Sequence, residues 1–325
     1  MDELVTQIAA ARRRAVARAI TQIEEGGDSA RQLLARLREH IAAIGAPVHV
    51  IGLTGPPGAG KSSLSDQLIS RLRALGKRVA VLAVDPSSPF TGGAVLGDRV
   101  RMNRHATDPS VFIRSMGTRG DSGGLAKPVR DAVTVLTAAA FDVILIETVG
   151  VGQSELDVMF VADTVAVVLT PAGGDHIQTA KAGIMEIGDV FVVNKSDLPG
   201  AGRMAKDIQD MLRIRNDLAQ PANESGEWSV PVLLTSALAQ EGTEQLWEAL
   251  YGHFEHLVQT KQLAWRRGRG RVREMRELLG RQVADEVERR WQTDALWQDL
   301  QARVQSDRLS VVEAVDMAMQ NLLKD

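Results

Sequence analysis

The chain has 325 residues, 44% hydrophobic and 24% charged, an ordinary soluble composition sufficient for one full α/β domain with helical additions. Its formal net charge of -3 gives no general attraction to nucleic acid or anionic membrane, so any such binding needs a local patch. The absence of cysteine excludes disulfides, thiolate metal sites and cysteine nucleophiles, and fits a reducing cytoplasm; the six histidines are scattered. No apolar run approaches a membrane span, and Met1-Asp-Glu-Leu starts an acidic-then-arginine helix rather than a secretory signal.

From Asp2 to about Glu25, Leu4, Ile8, Val16, Ile20 and Ile23 recur near helical spacing, and Gly26-Gly27 ends the run. A second helix follows, with Asp28 or Ser29 as cap, Leu33, Leu37 and Ile41 on one face, and Gly45-Ala-Pro47 as stop. Arg12 to Arg14 read as a solvated helix face in preference to a contact for an acidic partner. Strands are expected at Val48 to Leu53, Arg78 to Val84, Val111 to Ser115, Val143 to Ile146, Thr164 to Leu169, Val190 to Val193 and Val230 to Leu234. Their alternation with helices implies a mainly parallel sheet covered on both faces. After Ser236 the pattern is helical: Glu244 to Gln259, an arginine-rich stretch to about Trp291, Ala295 to Val304, and Ser310 to Leu323. The last of these carries a stripe of Val311, Val315, Ala318, Met319 and Leu322, which is expected to bury against another helix. The expected division is a helical arm over 1–46, an α/β domain over 47–258 and a second helical arm over 259–325.

Two motifs name the ligand. The first strand runs into Gly55-Pro-Pro-Gly58-Ala59-Gly60-Lys61-Ser62-Ser63, a loop of small residues that can turn its N–H groups onto phosphates beneath a helix N-terminus. Lys61 should reach the β- and γ-phosphates, and the Ser62 hydroxyl should ligate Mg²⁺. Downstream, Asn194-Lys195-Ser196-Asp197 follows another strand as an N-K-x-D tetrapeptide. The Asp197 carboxylate can accept from guanine N1–H and the 2-amino group, a donor pair that adenine lacks, so the expected ligands are GTP and GDP. Thr235-Ser236-Ala237 also follows a strand and could offer a backbone N–H to guanine O6. In an open α/β sheet, Gly55, Asp85, Glu147, Asn194 and Ser236 fall together on the carboxyl rim.

The remaining site residues lie in loops. Phe141 to Glu147 is an apolar strand ending in an acid with Gly150 three residues on, the pattern of a Walker B strand and second switch; Glu147 would hold the Mg²⁺ hydration shell and Gly150 would meet the γ-phosphate. The competing role for Glu147 is a turn cap. The Gly/Ser/Pro-rich segment from Val84 to Arg99 reads as a first switch, in which Asp85 or Asp98 reaches Mg²⁺, positions the attacking water, or caps a turn. Gln178 and Lys181 share a helical face, where they could feel the nucleotide state and display it to a partner, or form an exposed helix start.

Taken together, Gly-Leu-Thr-Gly-Pro-Pro-Gly-Ala-Gly-Lys-Ser-Ser, Val-Asp-Pro-Ser-Ser-Pro, Gly-Asp-Arg-Val-Arg-Met, Ile-Glu-Thr-Val-Gly-Val-Gly-Gln-Ser-Glu and Val-Asn-Lys-Ser-Asp resemble the MeaB/ArgK GTPases over about Val48 to Pro199. These are G-protein chaperones of adenosylcobalamin-dependent acyl-CoA mutases, above all methylmalonyl-CoA mutase. The resemblance implies a P-loop NTPase fold, GTP hydrolysis that gates cofactor loading and protects the mutase, and a C-terminal dimerisation arm. It also implies that Lys61 and Ser62 serve phosphate and Mg²⁺, that Asp85, Asp98 and Glu147 surround the metal, and that Asn194, Lys195 and Asp197 hold guanine. A third switch over roughly Gly173 to Gly183 would relay nucleotide state through Gln178 and Lys181. One rival is a metal-insertion GTPase, which needs the soft or imidazole ligands this composition lacks. Another is a nucleic-acid-binding NTPase using Trp265-Arg-Arg-Gly-Arg-Gly-Arg-Val-Arg273, although the acidic residues that follow favour a charged helix or dimer arm.

Overall fold

The computed structural model describes residues 2–45, 48–86, 102–118, 126–148, 154–171, 182–218 and 228–323. Residues Met1–Gly270 form one compact unit and Arg271–Asp325 a second.

The first unit begins with three helices, α1 (Asp2–Ala9), α2 (Arg13–Glu25) and α3 (Gly27–Ile44). The strand and helix alternation follows: β1 (His49–Thr54), α4 (Lys61–Ala74), β2 (Val79–Pro86), β3 (Val111–Thr118), α5 (Ala126–Ala138), β4 (Val143–Thr148), α6 (Ser154–Asp157), β5 (Thr164–Leu169), α7 (Ala182–Ile187), β6 (Val190–Asn194), α8 (Ala201–Leu218), β7 (Val232–Thr235) and α9 (Thr243–Gln259). The strands make a 7-stranded sheet in the order β3-β2-β4-β1-β5-β6-β7, and each neighbouring pair is parallel. The chain moves from β1 out to β2 and β3, returns to β4 beside β1, then crosses to β5 and the far edge. That reversal puts the carboxyl end of β1 at a switch point, where open α/β sheets bind ligands.

Alternation along the strands divides the core between the two faces. Val50, Ile144, Ile146 and Phe191 face a cluster completed by Ile8, Val16, Ile20 and Leu33 of the N-terminal helices and Val135 of α5. Ile51, Leu53, Leu145 and Val192 face a second cluster with Leu64, Leu68 and Leu72 of α4 and Leu246 and Leu250 of α9. With both faces covered, β1, β4, β5 and β6 are buried along their whole length.

Two local expectations are not met. The first helix is two helices: Ala11 adopts φ 52, and the Ala11 N–H closes on the Ile8 carbonyl at 2.7 Å. Ala10 and Ala11 are strong helix formers, so nothing local announces the break; it lets Ile8 and Val16 both reach 0% exposure on one core. Neither Asp28 nor Ser29 caps the next helix, because α3 starts at Gly27 with Gly26 in the cap position at φ 79 and no side-chain cap. Asp28 instead pairs with Arg31 within the first turn.

The helix α10 (Gln262–Thr293) continues from the first unit into the second, which also contains α11 (Ala295–Gln305) and α12 (Val311–Leu322). There Trp297 and Leu300 pack with Ala318, Val287, Leu309 and Leu322. The stripe expected to bury along α12 is rotated: Ala314 and Ala318 are buried, whereas Val311, Val315 and Met319 are 65%, 54% and 44% exposed. The buried Trp297 ring packs opposite the small Ala318 and beside Leu322, so this face of α12 turns inward. Asn321 fixes this arrangement, its Oδ1 accepting from Trp297 Nε1 at 2.9 Å and Arg290 Nη1 at 2.8 Å. Ser310 caps α12 with a reciprocal capping box to Glu313.

Candidate nucleotide site

The glycine loop leaves β1 at Gly55 (φ 136) and passes Gly58 (φ 75) and Gly60 (φ 89), all left-handed backbone that favours glycine. A side chain at Gly55 would overlap the Val168 carbonyl, and one at Gly60 would overlap the Asn194 amide, so the loop also needs glycine for close approach. Lys61 opens α4 and is buried, its Nζ donating to the Gly55 carbonyl at 2.6 Å and the Pro56 carbonyl at 3.0 Å. The ammonium is therefore held over the loop by exchangeable acceptors, within the turn that would surround a phosphate.

Behind the loop, Ser62 Oγ donates to Glu147 Oε1 at 2.5 Å. Ser65, one turn further along α4, donates to Glu147 Oε2 at 3.0 Å. All three are buried. Register places Glu147 opposite Ala83 and Thr148 opposite Val84, so the backbone of Asp85 lies one step beyond them on the same rim. Asp98, Gly150, Gln178 and Lys181 lie outside the described residues.

The second part of the site, where a base is expected, is built at the ends of β6 and β7. Asn194 is buried and bridges three segments: Nδ2 donates to the Ala59 carbonyl at 2.8 Å, while Oδ1 accepts from Thr235 Oγ1 at 3.2 Å and the Ala237 N–H at 3.3 Å. Lys195 takes φ 58, uncommon for a non-glycine residue, and its carbonyl accepts from the Leu198 N–H at 2.9 Å, turning the chain back at the strand end. Asp197 is exposed at the rim, with Oδ1 accepting from Ser236 Oγ at 2.6 Å. The Ser236 backbone is held in turn by paired hydrogen bonds with Glu241. A cavity of about 380 Å³ is lined by Gly60, Ser63, Asn194, Lys195, Asp197, Ser236 and Ala237 together with Asp66, Gln67, Leu198 and Leu238.

The described motif residues thus form one rim: a phosphate loop, an oxygen-only cluster of Ser62 and Glu147, and an acceptor pocket tied to the loop by Asn194. Comparison with known proteins agrees with that chemistry. Residues 16–293 match the family model described as methylmalonyl Co-A mutase-associated GTPase MeaB. The chain belongs to the MeaB family. Among relatives of this MeaB-family chain, a protein of Pyrococcus abyssi named as a GTPase is 42% identical over 99% of this chain and 97% of its own length. GTPase ArgK of Escherichia coli is 33% identical over 82% of each chain. The methylmalonic aciduria type A homolog, mitochondrial, of Mus musculus is 34% identical over 82% of this chain and 66% of its own length. A solved structure titled LAO/AO transport system kinase superposes with a TM-score of 0.72 at 25% identity, covering 99% of this chain and 97% of that one. The chain is a P-loop GTPase that binds guanine nucleotide and hydrolyses GTP.

Sequence reasoning missed Ser65, whose signal was its spacing: three residues after Ser62, on the same helix face. It also missed Asp66 and Gln67, which line the cavity from α4. Two arginines of the arginine-rich stretch are engaged with acids distant in sequence, and two others are engaged locally. Arg266 pairs with Asp189 at 2.9 and 2.6 Å, Arg267 pairs with Asp163 at 2.8 and 2.7 Å, and Arg269 lies over the Trp265 ring at 4.9 Å. Arg273 pairs with Glu277 at 2.7 Å.

Proposed function

We propose that this chain is a GTP-driven chaperone for an adenosylcobalamin-dependent acyl-CoA mutase, methylmalonyl-CoA mutase being the first candidate, and that nucleotide state gates cofactor loading and protects the mutase from inactivation. The observation that carries the reading is the Asn194 bridge. Because one side chain bonds both the phosphate loop at Ala59 and the base pocket at Ala237, the two halves of the site are positioned together. The name of the matched family supplies the mutase association.

In this reading Lys61 exchanges the Gly55 and Pro56 carbonyls for β- and γ-phosphate oxygens, and Asp197 accepts from the guanine N1–H and 2-amino group. The Ser62 and Glu147 oxygens fit Mg²⁺, a hard cation bound by a few protein oxygens and otherwise by water and phosphate. When bound, Mg²⁺ neutralises phosphate charge. Asp85 and Asp98 complete that side of the site, Gly150 senses the γ-phosphate, and Gln178 and Lys181 pass the nucleotide state to the mutase. Hydrolysis by the isolated chain is slow and rises with the partner.

A homodimer through the second unit fits its exposed apolar side chains. Met275, Leu279 and Val283 on α10 and Val311, Val315 and Met319 on α12 each recur at four-residue spacing and are between 43% and 65% exposed. No helix among the described residues is long and apolar enough to cross a membrane, and a chain without cysteine suits the cytoplasm. The engaged arginines at 266, 267, 269 and 273 weigh against a nucleic-acid groove.

The test mixes the purified chain with an adenosylcobalamin mutase under GDP and under a non-hydrolysable GTP analogue. Nucleotide-dependent complex formation and accelerated GTP hydrolysis are expected. Neither effect with any such mutase would refute the reading.

A further inference from the structure

Glu147 ends β4 with its carboxylate held at both oxygens by hydroxyls from one helical turn, Ser62 on Oε1 and Ser65 on Oε2. Ser62 belongs to the phosphate-loop motif. Ser65 does not, and it is 0% exposed, one turn deeper beneath the loop. A serine hydroxyl inside a helix ordinarily returns its single proton to the carbonyl four residues back. This one donates across 82 residues of sequence to a carboxylate on another element. A buried hydroxyl needs some partner, but the local carbonyl would satisfy it without Glu147, so mere satisfaction does not account for the geometry.

We propose that Ser65 is a positioning residue for Glu147: it locks the carboxylate so that Glu147 meets Mg²⁺ through the ion's water shell and not as a direct ligand. The inference rests on the reading of Ser62 and Glu147 as the metal side of the site. Glutamate has one more rotatable bond than aspartate, and a single hydroxyl on Oε1 would leave its carboxylate free to pivot about that contact. A second donor on Oε2 removes the pivot. A carboxylate has about four lone-pair positions, more than the two that Ser62 and Ser65 use, so accepting from water is compatible with both anchors. Water is also what Mg²⁺ keeps, since the ion dehydrates reluctantly. The Ser62 hydroxyl can offer a lone pair to the metal while its proton stays on Oε1, so both anchors survive when the metal is bound.

Release of N-methylanthraniloyl-GDP from the full chain, followed by fluorescence across a Mg²⁺ titration, tests this without relying on turnover. Ser65→Ala removes one atom from a buried site and should raise the Mg²⁺ concentration that half-slows release by about tenfold, the scale of one hydrogen bond to a charged group. Release in EDTA should be unchanged. Ser65→Thr keeps the hydroxyl and should restore the wild-type Mg²⁺ dependence. If Ser65→Thr fails to fold, the decisive measurement is the coupling: in a Glu147→Gln background, Ser65→Ala should add little, whereas a purely structural serine would add its full effect. Unaltered Mg²⁺ dependence in Ser65→Ala, with a clear shift in Glu147→Gln, overturns the role of Ser65 alone. Unaltered dependence in Glu147→Gln overturns the metal reading beneath it, and the proposal with it.

Discussion

At the amino ends of β1, β5 and β6 carboxylates are paired with arginines, while on the carboxyl rim of the sheet the charged groups Lys61, Glu147 and Asp197 meet neutral carbonyls and hydroxyls. On the amino side, Asp163 is 1% exposed and accepts twice from Arg267, which also donates to the Val48 carbonyl at 2.7 Å. Asp189 takes both arms of Arg266. Thr164 Oγ1 bridges His49 Nε2 and His253 Nδ1 at 2.9 Å each, and His49 stacks on Phe254 with ring centroids 4.3 Å apart. On the carboxyl side, Lys61 donates to the Gly55 and Pro56 carbonyls, Glu147 accepts from the Ser62 and Ser65 hydroxyls, and Asp197 accepts from the Ser236 hydroxyl. Breaking a buried ion pair leaves an uncompensated charge, so its members are held in place and not free to bind. Contacts with neutral carbonyls and hydroxyls can be exchanged for nucleotide or metal partners at less cost than a buried ion pair.

Breaking the amino side should act on stability and leave nucleotide binding alone. Arg267→Ala strands the buried Asp163 carboxylate and should cost about 4 kcal/mol in urea unfolding, while the affinity of the folded chain for GDP stays within twofold. A comparable loss of GDP affinity would show that the two rims are coupled. Acid should attack the same region. Burial lowers the His253 pKa from 6.5 to about 4, with Asp189 opposing and Arg266 and His256 adding to the shift. Burial likewise holds His49 well below its ordinary value, helped by His253 and Arg267. The unfolded chain then binds more protons than the folded one between pH 6.5 and 4, so this contribution is whole above 6.5 and drains as pH falls toward 4. His253 alone accounts for about 3 kcal/mol across that interval. Unfolding measured at stepped pH should show the slope, and His253→Gln should flatten it.

The carboxyl side should respond in the opposite sense, with function lost and stability kept. Lys61→Ala should lower GTP turnover by about a hundredfold, the effect of removing one preorganised charge from a phosphoryl-transfer site, with melting within a few degrees of wild type. Asp197→Asn is the gentlest change. Losing the paired acceptor should weaken GDP about tenfold and improve binding of the xanthine analogue, whose extra carbonyl accepts from the new amide. Competition binding with both nucleotides reads the exchange directly; an unaltered preference would remove Asp197 from base recognition.

The seven strands and the rim they share were legible because buried parallel strands are continuous Val/Ile/Leu runs, and Thr164–Leu169 was bounded to the residue. The glycine loop was legible because left-handed backbone and close approach at Gly55 and Gly60 demand glycine, and the N-K-x-D tetrapeptide because it directly follows a buried strand. The break at Ala11 was not, since alanine carries no stop signal and the cause is a distant core. The outward face of α12 was hidden for a similar reason: periodicity locates an apolar stripe, but the packing of Ala318 and Leu322 with Trp297, on another helix, sets which side turns inward. The arginines at 266 and 267 read as a patch because the acids that claim them, Asp189 and Asp163, lie far away in sequence. Ser65 was passed over because serine on a helix is ordinarily satisfied at home.

Isothermal calorimetry of the wild-type chain with GDP and ADP in parallel, at one Mg²⁺ concentration, tests base recognition most directly. Guanine should bind at least about a hundredfold more tightly, because adenine leaves the Asp197 acceptors without donors. Equal affinities would contradict the pocket assigned to Asn194, Asp197 and Ser236.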